Sequence, residues 1–504
     1  MPMRLSGLVT GMDTEALVGQ LVDAQKLKKK KVSGNKTKLE WKKDQWKDLN
    51  KKLTSFYNGS LSKMRLSSSY NVKKATLSDS SKASIEAQST AVVGNYTMEV
   101  KEIASAQFLT SGKTNVTGTG QKLTALGVAE NQTITFKSEG KKAVELNVTS
   151  ETTVNDFLKA ARNAGLNASY DTTQKKFFFS SKETGDKNAF SISDGGDGTS
   201  LNGLGLGNVT YDSATKKYTT TGAPEDMALV GAKDSHIILN GADLYSSSAT
   251  VSANGLNISL TAKTAENESV SFSVSNDVDA VYNDIKKMLK EYNDLMKEMH
   301  DKYNAESSKG YEPLTAEEKK ALSDDEVEEW EKKIKDSLFR RDSKLEGIMS
   351  GMRSSMMAST KVGDRTYTLS SFGIMTSTNY QEGGLLHIYG DADDEVYSAE
   401  KDKLKKALTE DPENTIKALT DIFEGLRNDM FNRMRATEYS SGLTFYDDKQ
   451  MDKDLDKYKK ELKSWDDKIA AMEDQYYKKF AAMESAMAKL QSQQSSLSGL
   501  FGLG

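Results

Sequence analysis

Near the C-terminus, Leu455, Tyr458, Leu462, Trp465, Ile469, Met472 and Tyr476 recur at alternating steps of three and four. That spacing holds one apolar row on a single side of a helix and is the a/d seam of a coiled coil. The step to Phe480 is again four, after which Met483, Met487, Leu490, Gln494 and Leu497 resume the pattern. One such four-residue stutter locally unwinds a supercoil. A helix from Asp454 to Ser498 would be roughly 65 Å long at ~1.5 Å per residue. No small domain buries a helix of that length, so partner helices must come from elsewhere in the chain.

Two other segments supply them. Val32, Leu39, Trp46 and Leu53 recur every seven residues, with Leu49 and Phe56 at the intermediate positions. Before them, Asp13 can cap a helix with Glu15 near its positive end, and Leu17, Leu21 and Ala24 form a thin apolar stripe. Ser33-Gly34 predicts a kink or break in this segment. Val278, Val281, Ile285, Met288, Tyr292, Leu295 and Met299 form the third row, which reads as facing the core of its own domain. Beyond it, Thr315 with Glu318 and Ser323 with Glu326 match the capping box, and Val327, Trp330, Ile334 and Leu338 continue as a helix. A less regular stretch, 366–389, precedes helices over 399–409 and 413–435.

Between the first and third rows the period changes to two. Tyr96, Met98 and Val100 alternate with polar residues, as do Ile134 with Phe136 and Val144 with Leu146 and Val148. Phe177 to Phe179 reads as a compact strand, Val154 to Ala164 as a short amphipathic helix, and strands return at 236–239, 256–260 and 270–274. The rows at 32–56, 278–303 and 455–497 can share one helical layer only if this β-rich middle is an insertion. The fold expected is therefore α+β and multidomain: a terminal coiled coil or helical bundle built from the two ends, with β-rich domains nested between helices.

Residues able to do chemistry are scarce. The 504 residues contain no cysteine and three histidines, His236, His300 and His387, which excludes thiolate catalysis, disulfides and sulfur-ligated zinc. Each histidine lies in a strand-like run or at a helix end and reads as structural. Gly203, Gly205 and Gly207 have the wrong spacing for a dinucleotide loop. Asp194 to Gly198 reads as a tight turn rather than a calcium loop, and Asp391, Asp393 and Asp394 lack the glycine an EF-hand needs. A net charge of −4 argues against a nucleic-acid partner, and the basic run Lys26, Lys28 to Lys31 reads as a solvated helix face. No stretch is apolar enough to insert in a membrane, and residues 1–20 lack the basic and apolar regions of a cleaved signal peptide. No catalytic, metal or cofactor site is expected.

The order of several short motifs resembles the flagellar filament cap proteins, the hook-associated protein 2 or FliD family. Leu5-Ser6-Gly7-Leu8 with Thr10-Gly11-Met12-Asp13 is similar to that family's start. Gly94 to Val100, followed by Ile103-Ala104 and Ala106-Gln107, is similar to its first strand. Asn240-Gly241 and Asn254 to Leu260 are similar to its re-entry strands. Leu369 to Ile374, Gly384-Leu385, Leu404, Leu408, Asp411-Pro412 and Phe423 resemble its later helical region, and 477–497 its end. Leu123 to Ile192 resembles the flagellin hook motif, a small insert of flagellar axial proteins. The resemblance covers 1–107 and 232–500 plus that insert, and departs from the family pattern at Ala249 and His387.

With that resemblance the chain divides into 1–40 with 456–504 as a terminal coiled-coil domain, and 41–75 with 276–455 as a helical leg. The divisions 76–108 with 232–275, and 109–231, are an inner and an outer β-rich domain. The resemblance implies a secreted structural cap at the distal filament tip, which promotes flagellin folding and insertion and prevents flagellin loss. It implies a ring homo-oligomer of about five copies, with flagellin, the flagellar export apparatus and a cytoplasmic chaperone as partners. Leu5, Leu8, Leu17, Leu21, Leu490, Leu497, Leu500 and Phe501 would dock on the filament. Being thinly apolar, these ends are expected to order only on assembly. Two other readings carry distinct expectations: another axial protein, at the hook–filament junction or flagellin-like, and a cap that also adheres to mucin or a host surface.

Overall fold

The computed structural model describes residues 11–377 and 382–500, the last three by backbone alone. Its helices are α1 (Thr14–Asn58), α2 (Ser60–Met64), α3 (Val154–Asn163), α4 (Val278–Tyr303) and α5 (Ala316–Lys320), then α6 (Asp324–Asp336), α7 (Ser343–Met356), α8 (Lys403–Glu410), α9 (Pro412–Arg433) and α10 (Asp448–Leu500). The chain forms two compact units, one from 1–70 with 278–504 and one from 71–277.

The helical unit is organised around α1. Asp13 caps it, accepting from the Ala16 N–H at 2.9 Å. No break occurs at Ser33-Gly34; α1 is continuous through it. Gly34 is buried, and a Cβ there would lie 3.5 Å from Pro313 Cδ. The glycine therefore marks where the 312–313 segment packs closely on the helix, not where the helix ends. Lower down, Trp46 is 1% exposed and lies edge-on to Phe339 at 4.7 Å and parallel to Tyr446 at 5.7 Å. Leu49, Leu53 and Phe56 are buried on the same side. In α4, Val281, Ile285, Met288, Tyr292, Leu295 and Met299 are all buried, as their spacing requires. Both capping boxes form: the Thr315 and Ser323 side chains each accept from the N–H three residues on, and Glu318 and Glu326 bond back. The helix α7, which the periodicity did not single out, buries Leu345, Ile348, Met349, Met352 and Met356 and packs on α9.

The second unit is a nested pair of two-layer β structures. In the inner one, a five-stranded sheet runs Lys73–Leu77, Val270–Asn276, Gly94–Glu102, Ser235–Leu239, Ala242–Ser246. It packs with a three-stranded sheet of Thr250–Ala253, Leu256–Leu260 and Ala83–Ala87 over Met98, Val100, Ile237, Val251, Ile258 and Phe272. Asn240-Gly241 and Asn254-Gly255 all have positive φ, so each pair closes its hairpin as a type I′ turn. The outer structure joins a five-stranded and a four-stranded sheet around α3, whose Phe157 meets Phe136, Phe177 and Phe179 at 5.2, 5.8 and 6.0 Å. The chain leaves and re-enters the inner structure at one point: Ser105 and Lys233 exchange backbone hydrogen bonds of 3.0 and 3.1 Å.

Two predictions follow from the helical unit. Gly34→Ala places its methyl at ordinary contact distance and removes a helix-interior glycine, so it should stabilise the unit by about 0.5–1 kcal/mol. Urea unfolding checks this, and a loss of stability would contradict the continuous helix. Asp448, which opens α10, accepts from the Ser441 N–H at 2.6 Å. Burial raises its pKa, but the hydrogen bonds from Ser441 and the Lys449 N–H outweigh it and hold the carboxyl below its usual value. Its folded pKa lies below the unfolded one, so its stabilisation is present above the usual carboxylate range. That stabilisation is lost as pH falls through the depressed value. Asp448→Asn should cost about 1–2 kcal/mol at neutral pH and flatten that acid limb in pH-resolved unfolding.

Candidate functional site: the paired terminal helices

The two ends of the chain run antiparallel. Lys26 pairs with Glu473 at 3.7 Å, Lys29 with Asp466 and Lys43 with Asp452, so α10 descends as α1 ascends. This accounts for much of the basic run: Lys30 meets Glu318, while Lys38 and Lys42 reach Glu312 and Asp342 at 2.7 and 2.6 Å. Such partly exposed pairs contribute only ~0–1 kcal/mol each, so they set register more than stability.

The seam residues divide by depth. Trp46, Leu49, Leu53 and Phe56 are buried, while Val32 and Leu39 are half-buried. On α10, Leu455 and Ile469 are buried and Leu462, Trp465, Met472 and Tyr476 are half-buried. The lower row of α1 does not pair only with α10. Trp46 is held by Phe339 and Tyr446, two aromatics whose roles no heptad pattern shows, and α1 also packs on α4 and α6.

At the start of α1 the buried row is Thr14, Val18 and Val22, not Leu17, Leu21 and Ala24. Leu17 is half-buried, and Leu21 and Ala24 are exposed. The Lys26–Glu473 pair sets Val22 and Val18 along the part of α10 that carries Tyr476 and Phe480. The buried row is therefore turned by one residue, ~100°, from the simple stripe.

The outer part of α10 is helical to Leu500. Alanines at 481, 482, 486 and 488 favour the helix without needing a packed face. What stays open is the apolar row: Met483, Met487, Leu490 and Leu497 are 37, 46, 59 and 53% exposed. Leu5, Leu8 and Phe501 lie outside the described residues, and so does the Leu500 side chain.

The histidines and acidic clusters are held internally. His236 Nε2 is 2.7 Å from Asp243, and its ring stacks on Tyr245 at 4.4 Å. His387 lies between Asp394 at 2.7 Å and Glu382 at 3.1 Å. Burial pushes the Asp394 carboxyl up, but His387 and the Tyr397 and Val396 N–H groups hold it below its usual range. Lys286 bridges Asp391 and Asp393 at 2.7 and 2.6 Å. Asp194 accepts from the Gly196 and Gly198 N–H groups at 2.9 and 3.2 Å, which makes its turn. Among the described residues, no three His, Asp or Glu side chains are grouped to hold a metal ion. The paired helices carry an open apolar row beyond Phe480.

Comparison with known proteins agrees with the order of these elements. Residues 10–107 match the family model described as Flagellar hook-associated protein 2 N-terminus, and residues 232–492 match Flagellar hook-associated protein 2 C-terminus. The flagellar hook-associated protein 2 of Halalkalibacterium halodurans is 26% identical over 440 residues, covering 82% of this chain and 78% of the relative. Among solved structures, the flagellar cap protein FliD of Escherichia coli is 19% identical with a TM-score of 0.48, covering 78% of this chain and 97% of its own. That of Serratia marcescens is 25% identical with a TM-score of 0.30, covering 38% of this chain and 100% of its own. With the C-terminal family model alone spanning more than half of its length, the chain belongs to the flagellar hook-associated protein 2 family, the flagellar filament cap proteins.

Proposed function

We propose that the chain is a secreted structural cap at the distal tip of the flagellar filament, where it promotes flagellin folding and insertion and keeps unpolymerised flagellin from escaping. The observation that carries this reading is the open heptad row Met483, Met487, Leu490 and Leu497 on a helix that projects past the heptad-paired stretch. An apolar row exposed over several turns calls for a partner, and helices of flagellin at the filament tip are of the matching kind. Leu490 and Leu497, with Leu5, Leu8, Leu17, Leu21, Leu500 and Phe501, are the docking residues of this reading.

A cap must hold firmly and still move as each subunit adds beneath it. One exposed row binds weakly, but several copies in a ring bind by avidity, so one leg can detach while the others hold. The role is structural rather than catalytic. Its partners are further copies of the chain, best as a pentamer, together with flagellin, the export apparatus and a cytoplasmic chaperone. In this reading the four-part division stands: the terminal helices grip, and the inner and outer β structures form the plate.

Removal of 490–504 tests the reading. The shortened protein should fold with an unchanged β unit by circular dichroism, yet cells carrying it should shed flagellin into the medium and bear short filaments. Full-length filaments on those cells would remove the docking role from this end.

A further inference from the structure

Beyond Phe480 the row on α10 changes its chemistry. Met483 and Met487 lie four residues apart and share one face with Leu490 and Leu497. Both side chains are exposed, and the alanines at 481, 482, 486 and 488 are too short to cover them. The buried seam is different: Trp46, Leu49, Leu53 and Phe56 on α1, with Leu455 and Ile469 on α10, include no methionine. Thioethers enter the α10 row only where cover is partial or absent, at Met472, Met483 and Met487.

The chain has 20 methionines and no cysteine, so thioethers are its only sulfur. Met64, Met98, Met288, Met352 and Met430 are at most 1% exposed. Among the described residues, three other methionines are exposed: Met12, Met357 and Met375. None of these lies on α10, so they serve as internal controls for the two that do.

A peroxide reaches the exposed sulfurs first. The thioether lone pair attacks one peroxide oxygen, the O–O bond breaks, and water leaves. The sulfur gives up two electrons and gains the oxygen, so hydrogen peroxide and the thioether become water and a sulfoxide. The product is polar. Its oxygen accepts hydrogen bonds, and burying it against an apolar surface without a donor costs free energy. The hydrocarbon side chains of Leu490 and Leu497 have no such reaction.

We propose that Met483 and Met487 are an oxidation site that switches the docking row off: a peroxide converts both to methionine sulfoxide, and the row no longer seats on the filament. The proposal rests on the docking reading above and gives that site its regulation.

The test uses the full chain and filaments sheared from cells that lack it. The protein is treated with hydrogen peroxide, the peroxide is removed with catalase, and retention on filaments is measured by co-sedimentation. Peptide mass spectrometry follows each methionine. The dose is held where Met64, Met98 and Met288 stay reduced and circular dichroism is unchanged. Oxidised wild-type protein should bind at least about tenfold more weakly, since two methionines lose their apolar burial. The Met483→Leu, Met487→Leu double variant should keep its binding after the same treatment, although Met12, Met357 and Met375 are oxidised alike. Methionine sulfoxide reductase should restore the wild type.

Three results would overturn the proposal. Met483 and Met487 could stay reduced while Met357 oxidises, the oxidised wild type could bind unchanged, or wild type and leucine variant could lose binding equally. The Met483→Gln, Met487→Gln double variant separates the two readings. If it binds filaments poorly, the docking row stands even when the oxidation switch fails. If it binds as well as wild type, the docking reading fails together with the switch.

Discussion

The antiparallel pairing of α1 with α10 joins segments from opposite ends of the sequence, and the rest of the architecture follows from that closure. The segment 71–277 must leave the helical layer and return to it. The β unit does so between Tyr70 and Val278. Within it, the outer β structure repeats the manoeuvre through the Ser105–Lys233 bridge. Nesting of this kind needs no threading and leaves each layer with its own core. Helices supply reach, and the inserted β structures supply bulk.

The pairing is uneven along its length. At its lower end Trp46, locked between Phe339 and Tyr446, ties α1 to the start of α10 and to the segment before α7. Higher up, exposed ion pairs and half-buried side chains take over. Beyond Phe480 the apolar row is open. The free energy holding the two helices together therefore declines from the core outward.

Some of this was legible in residue spacing. The three apolar rows, the capping boxes at Thr315 and Ser323 and the period-two strands all report local geometry, which the backbone enforces within a few residues. Misjudgements came where packing overrides local preference. Gly34 looks like a helix breaker until Pro313 is seen to pack on it. Val18 and Val22, not Leu17 and Leu21, are the buried residues at the start of α1, a choice that residue spacing alone does not make. The helix α7 carries the ordinary amphipathic spacing at Leu345, Ile348, Met349, Met352 and Met356, so it too was legible in the sequence.

What the sequence by itself determined was the kind of element at each place, since periodicity and caps act over one or two turns, and the absence of cysteine chemistry. Motif order was enough to place the chain in its family. Only the tertiary structure decided which faces stay open. Leu490 and Leu497 are unremarkable leucines in the sequence; that they stay exposed while Leu49 and Leu53 are covered is decided only once distant segments are packed. Burial is a property of the whole fold, because whether a side chain is covered depends on residues hundreds of positions away.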